Sequence, residues 1–225
     1  MAKTPKTEKP EPAQGDTASE IKYPRRTERR RRTRLKILEV AVRQFSKSGF
    51  SATTMQNIAD EADIHVTTLF MHFNSKNELA TSLANDAVDR LRDRVLAARG
   101  SRPFFEFFRE EALTYAANRR SVSQPDAALW NNLRKDQELA FAWTSYEYGQ
   151  KGLYAEYIAS EYDIDRTTSY LADLIAALVV ECLILPHERW AQAPGKRNLA
   201  EEIEQAVNLT ERAAKHMLKA RDPSA

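Results

Sequence analysis

Apolar positions recur at helical spacing along almost the whole chain. Leu38, Ala41, Val42 and Phe45 fall at i, i+3, i+4 and i+7, with Gly49 just beyond, which predicts a first helix over about 28–48. Thr53 and Thr54, followed by Met55, Ile58, Ala59 and Ala62, predict a short second helix ending at Asp63. A three-residue break then precedes a third apolar pattern over 64–73 with Leu69, Phe70 and Phe73, and Asn74-Ser75 caps a long helix over 76–98.

Further helices are expected over 103–118, 125–134 and 137–162, the last bent near Gly149 and Gly152. Another is capped by Asp165 and ended by Pro186, and a final one runs from Asn198 to about 221. No segment alternates as a strand would. The fold class is all-α: a three-helix N-terminal unit on a larger helical bundle. The expected domains are a disordered extension over 1–24, a helix-turn-helix unit with an arginine arm over 25–75, and a helical bundle over 76–225.

Charge sharpens this division. The net charge is +2, yet residues 1–76 hold 15 Lys/Arg against 9 Asp/Glu and residues 77–225 hold 19 against 23. The excess is concentrated in Arg25, Arg26, Arg29, Arg30, Arg31, Arg32, Arg34 and Lys36, beside the single acid Glu28. One cysteine, Cys182, cannot form an internal disulfide and reads as an inert core thiol, so a cytoplasmic protein is expected. The most apolar stretch, 171–185, is interrupted by Asp173 and Glu181 and is too short to span a bilayer.

Two short helices joined by a tight turn form a helix-turn-helix. Its recognition helix must be backed by an apolar face and offer small or polar side chains to base edges. Phe45, Ile58, Ala62, Leu69, Phe70 and Phe73 are the expected support. His65, Val66, Thr67 and Thr68 are the expected base-contacting residues, suited to T-containing sites through methyl contacts. Arg29, Arg30 and Arg34 of the arginine run, whose later half merges into the first helix, are with Thr53, Thr54, His72 and Lys76 the phosphate-contact candidates.

The order Thr33-Arg34, Ile37-Leu38, Ala41, Phe45, Gly49-Phe50, Thr53-Thr54-Met55, Ile58-Ala59, Ala62-Asp63-Ile64, Thr68-Leu69-Phe70-Met71-His72-Phe73, Ser75-Lys76 and Glu78-Leu79 resembles the DNA-binding domain of TetR-family transcriptional regulators over residues 33–79. The resemblance implies a homodimeric regulator that binds a double-stranded DNA operator and responds to a small apolar or amphipathic effector, with Lys76 on a phosphate. It departs at three positions: Asp63 for the usual turn Gly, His65 for the usual Ser cap, and Phe70 for a phosphate-binding Tyr.

In the second half, Phe105, Phe108, Tyr115, Trp130, Trp143 and Tyr146 are candidates for an effector pocket, and Arg109, Arg119 or Arg120 could meet an acidic ligand. Leu174, Leu178, Leu183, Val207, Ala213 and Met217 lie on two wide apolar faces that the resemblance assigns to a dimer interface. His65 and His72 have no accompanying Cys or acid cluster, so no metal and no cofactor is expected. Without a phosphate-cradling glycine loop, a nucleophile elbow or a His/carboxylate cluster, the chain is not expected to be an enzyme. An architectural DNA binder that uses the arginines without sequence choice is the alternative.

Overall fold

The computed structural model describes residues 24–119, 136–137, 139–193 and 196–220, and among these it contains helices and no strand. The N-terminal unit comprises α1 (Pro24–Ser48), α2 (Met55–Glu61) and α3 (Val66–Phe70). The second half comprises α4 (Lys76–Ala98), α5 (Phe104–Arg119), α6 (Ala140–Glu161), α7 (Leu171–Gln192) and α8 (Leu199–Ala220). The expected extension, the helix over 125–134 and Trp130 lie outside the described residues. No described helix is long and apolar enough to cross a membrane.

Two apolar cores form. The first gathers Ile37, Leu38, Ala41 and Phe45 of α1, Ile58 and Ala59 of α2 and Leu69 of α3, together with Phe50, Phe73, Leu79 and Ala80. The second is built from aromatic and branched side chains of α4 to α8, with Phe104, Phe108, Tyr157, Ile175, Val179 and Ile203 fully or almost fully buried. Ala142 of α6 belongs to the first core and Leu139 packs against it. The boundary expected at residue 75 is therefore bridged: α4 and α6 each bury one end in the N-terminal core and another stretch in the second.

Several element bounds depart from the sequence reading. α1 begins four residues early and carries the arginine run in helical form, so there is no extended arm from Arg25 onward. The run helps fold itself: Glu28 accepts from Arg31 at 2.9 Å and Arg32 at 2.9 Å, pairs three and four residues apart that sit on one helix face. α3 is five residues long rather than ten, because Met71 closes it and 71–73 turn toward α4.

α6 runs unbroken past both glycines. A Cβ at Gly149 would lie 2.8 Å from both γ-carbons of Val88, so this glycine serves the close approach of α6 to α4 rather than a bend. Asp165 caps only a turn, through the Thr167 amide at 2.8 Å, and α7 starts at Leu171. α7 then passes through Pro186 to Gln192. The lost backbone donor is tolerated there because His187 is fully buried and Trp190 packs on the second core, holding the following turn in place.

Candidate nucleic-acid interface and the cavity behind it

The α2–α3 connection is set by local chemistry. Thr54 caps α2 in a reciprocal box: its hydroxyl accepts from the Asn57 amide at 3.1 Å, and its own amide donates to Asn57 Oδ1 at 3.1 Å. Asp63 adopts φ +50°, the left-handed conformation that Asp tolerates better than most residues, and the Ile64 amide closes onto the Ala59 carbonyl at 3.1 Å. His65 then caps α3, with Nδ1 accepting from the Thr67 amide at 3.3 Å. The cap is made despite the loss of the usual Ser. In the neutral ring an accepting Nδ1 leaves the proton on Nε2, free to donate outward.

Phe45, Ile58, Ala62, Leu69 and Phe73 are at most 5% exposed and back the helix. Phe70 does not. It is 46% exposed beside Met71 at 70%, because α3 is phased by Leu69 and the next residue turns away from the core. The outward surface thus consists of His65, Thr67, Phe70 and Met71, while Val66 and Thr68 are half-buried and Val66 packs on the N-terminal core. The apolar pair at the exit of α3 was missed in the sequence, where Phe70 read as support.

The phosphate candidates divide. Thr53 is 1% exposed and donates to the Gly49 carbonyl at 2.7 Å, so it is a core residue that ties the α1–α2 loop. Thr54 donates its hydroxyl proton to Asn57 Oδ1 at 2.7 Å. The Lys76 ammonium sits 2.7 Å from the Phe50 carbonyl and 3.1 Å from that of Thr53, over the Phe50 ring at 4.2 Å. It holds the loop before α2, a role no local sequence signal announces.

Arg30, Arg34 and His72, by contrast, come together. The Arg34 guanidinium lies 4.3 Å over Phe73, and the His72 pKa is lowered by partial burial and by the charges of Arg30 and Arg34. Arg29 is exposed beside them on α1. A basic edge therefore runs from the exit of α3 along the N-terminal half of α1. Glu28 neutralises part of it, and the Arg31 and Arg32 hydrogen bonds draw its pKa down to about 2.

Behind this unit a cavity of about 130 Å³ lies among α4, α5, α6 and α7. Tyr115, Trp143 and Tyr146 line it, as do Leu183, Gln150 and His187. Phe105 and Phe108 do not; they are at most 5% exposed within the second core, where Phe108 stacks on Phe104. Leu183 faces inward and Val207 is 1% exposed, which removes both from an outer face. Leu174, Leu178 and Leu185 on α7 and Leu209 on α8 are 41 to 63% exposed; Ala213 is exposed and Met217 half-buried. Arg109 is held by Glu211 at 2.5 Å and Asn208 at 2.8 Å, so it meets no ligand, while the Arg119 and Arg120 side chains lie outside the described ones.

Cys182 is buried, its thiol pushed up to about 12 by desolvation, which makes it unreactive. Among the described residues no group of His, Cys and acids could hold a metal.

A short helix backed by a closed core, set after a tight turn and carried on a separate helical body, defines a helix-turn-helix DNA-binding protein. Residues 37–83 match the sequence model of the bacterial regulatory proteins of the tetR family. The chain is 36% identical over 72 residues to the regulator TcmR of Streptomyces glaucescens and 27% identical over 135 residues to the probable regulator YttP of Bacillus subtilis. These matches cover 30% and 60% of this chain and only 32% and 53% of those relatives' lengths.

Across the whole fold it resembles FadR of Thermus thermophilus, a repressor solved with lauroyl-CoA (TM-score 0.55, 22% identity, 79% of this chain and 93% of that one). FadR of Bacillus subtilis, solved with stearoyl-CoA, is similar at TM-score 0.56 and 16% identity, over 78% and 96% of the two chains. Residues 37–83 therefore carry a helix-turn-helix domain of the tetR-family type, and the rest of the chain shares the fold of these solved regulators.

Proposed function

We propose that this chain is a homodimeric, sequence-specific DNA-binding repressor that a small-molecule effector releases from its operator. The observation that carries it is α3: its inner side is closed against the N-terminal core, its outer side is open, and the basic edge of Arg29, Arg30, Arg34 and His72 adjoins it. On DNA, His65 and Thr67 face base edges, His65 through its Nε2 donor, with Val66 and Thr68 at the margin. Arg29, Arg30, Arg34 and His72 grip phosphates. The domains follow as residues 25–75 for DNA and 76–225 for effector and partner.

The exposed leucines of α7 and α8, with Ala213 and the edge of Met217, meet their copies in a second subunit. An isologous pair sets two recognition helices roughly 34 to 36 Å apart on a near-palindromic site. Effector binding shifts the population toward a state in which α4 and α6, rooted at one end in the N-terminal core, change that spacing. A 100-fold loss of operator affinity requires about 2.7 kcal/mol of coupling.

The test is selection of duplexes from a random pool by the full chain, followed by titration at several salt concentrations. The expected result is a near-palindromic consensus whose binding survives competitor DNA. A dimer closing on six to ten phosphates loses affinity by about 10³ to 10⁵ between roughly 50 and 200 mM salt. A selected pool with no consensus, bound only as salt dictates, would leave an architectural binder instead. Failure of a Leu178→Glu variant to shift the chain toward monomer in sedimentation would overturn the proposed interface.

A further inference from the structure

The cavity contains a polar group that meets no described partner. Gln150 is 9% exposed and lines the cavity, yet its carboxamide makes no hydrogen bond to any described residue. A carboxamide that opens into a cavity offers a donor and an acceptor to whatever enters it. Gln150 follows Tyr146 and precedes Tyr154 at four-residue steps, so it interrupts an aromatic stripe on the face of α6 that looks into the bundle.

The charged groups of the wall are otherwise matched. Arg94 pairs with Glu111 at 2.8 Å, and Glu147 accepts from Trp143 Nε1 and lies 3.9 Å from Lys151. His187 donates from Nδ1 to the Leu183 carbonyl at 2.7 Å and lies 2.9 Å from the Tyr115 hydroxyl. A ligand that brought a net charge would find no unpaired counter-ion among the described residues of the wall and would lose its hydration.

Size narrows the class further. At about 130 Å³ the cavity is close to the roughly 150 Å³ that accepts one benzene, and well below the roughly 300 to 1,000 Å³ of sites for drug-sized ligands. That volume suits a single ring better than a long acyl chain.

We infer that Gln150 anchors an uncharged, single-ring effector carrying a carbonyl, carboxamide or hydroxyl, held between the aromatic side chains of α6 and the Tyr115–His187 pair. The inference rests on the ligand-responsive reading and deepens it. It also gives the signal a route: Trp143 of the cavity wall adjoins Ala142, which is embedded in the N-terminal core, so a ring wedged against α6 presses directly on the DNA-binding unit.

Calorimetry on the full chain tests it with four probes: benzamide, benzene, benzoate and lauroyl-CoA. The expected order is benzamide above benzene by about tenfold, the worth of a hydrogen bond to a buried amide, with benzoate and lauroyl-CoA weaker than both. In Gln150→Leu the benzamide advantage disappears while benzene binding is kept. Equal affinity of benzamide and benzene for the wild-type chain, or an unchanged benzamide advantage in Gln150→Leu, overturns the inference, as does tight binding of lauroyl-CoA alone. The wild-type comparison needs no variant, so a misfolded Gln150→Leu leaves the test intact. Binding of the selected duplex without any probe is measured separately: if it persists while benzamide fails, the effector class is wrong and the regulator reading stands, whereas failure to select any duplex in the absence of probes, with benzamide still bound by the chain, sinks that reading and leaves the ring site.

Discussion

The two halves of this molecule treat their polar groups differently. Around the N-terminal unit, buried or half-buried polar groups are consumed by its own backbone: Thr53 on the Gly49 carbonyl, and Lys76 at the start of α4 on the carbonyls of Phe50 and Thr53. In the second half, the Gln150 carboxamide opens into the cavity and Arg102 Nε is buried, neither with a partner among the described residues. The first pattern fixes one conformation, as a surface that must match a rigid duplex requires. The second leaves free energy to be gained by a ligand, as a sensor requires.

The comparison is broken most severely at Leu69. It is fully buried beneath α3, and Leu69→Ala should cost about 2–5 kcal/mol of stability, read by denaturant unfolding. A unit built for one conformation should lose duplex binding with it while the second half keeps its cavity. If Leu69→Ala left duplex affinity unchanged, the closed inner side of α3 would not be what presents it.

The joint between the halves comes next. Gly149→Ala pushes a methyl group into Val88, an overpacking of about 1–3 kcal/mol in thermal unfolding. Because α4 and α6 each reach from one core to the other, the variant should also weaken effector-driven release of DNA more than it weakens DNA binding itself. Equal loss of both would show that the joint is only structural.

How far the sequence could be read follows the same division. The N-terminal elements are specified by neighbours: caps, the Asp63 turn and the apolar steps of α1 lie within a few residues of what they act on, and α1 to α4 fall close to where the pattern places them. The misses there concern contacts across the fold. Lys76 reaches carbonyls more than twenty residues away, and Phe70 is exposed because α3 stops one residue later. In the second half the aromatics at helical spacing do not say which face is core: Phe105 and Phe108 are buried, whereas Tyr115, Trp143 and Tyr146 meet the cavity. Gln150 did have a signal, a polar residue among tyrosines four apart. Pro186 misled because packing of His187 and Trp190 outweighs its local penalty.

The base-facing surface gives a smaller effect. Thr67 is exposed on α3, its hydroxyl 2.8 Å from His65 Nδ1, so Thr67→Val removes that bond and any hydroxyl contact to DNA while keeping shape. Discrimination between the selected duplex and a variant at one position should fall by about 1–3 kcal/mol, with stability little changed. A uniform loss across all duplexes would reassign Thr67 to the phosphate backbone.

The smallest effect concerns Glu28, the acid that restrains the basic edge. Glu28→Gln removes the partner of both Arg31 and Arg32 and leaves two more guanidinium groups for phosphate. Duplex affinity at low salt should rise, and log K against log salt should steepen by about 0.9 for each phosphate gained. Specificity should not move, because the added contacts read no bases. The pH dependence has a definite sign. With its pKa lowered from the ordinary 4.5 to about 2, Glu28 braces the start of α1 fully above about 4.5 and releases it as pH falls toward 2, so wild-type helix content, read by circular dichroism, should fray there and the variant's should not change. The side chain lies at the surface near the first turn of α1, so this is local fraying rather than unfolding. If the variant's salt slope matched the wild type's, Arg31 and Arg32 would stand clear of the duplex, and the grip would rest with Arg29, Arg30, Arg34 and His72.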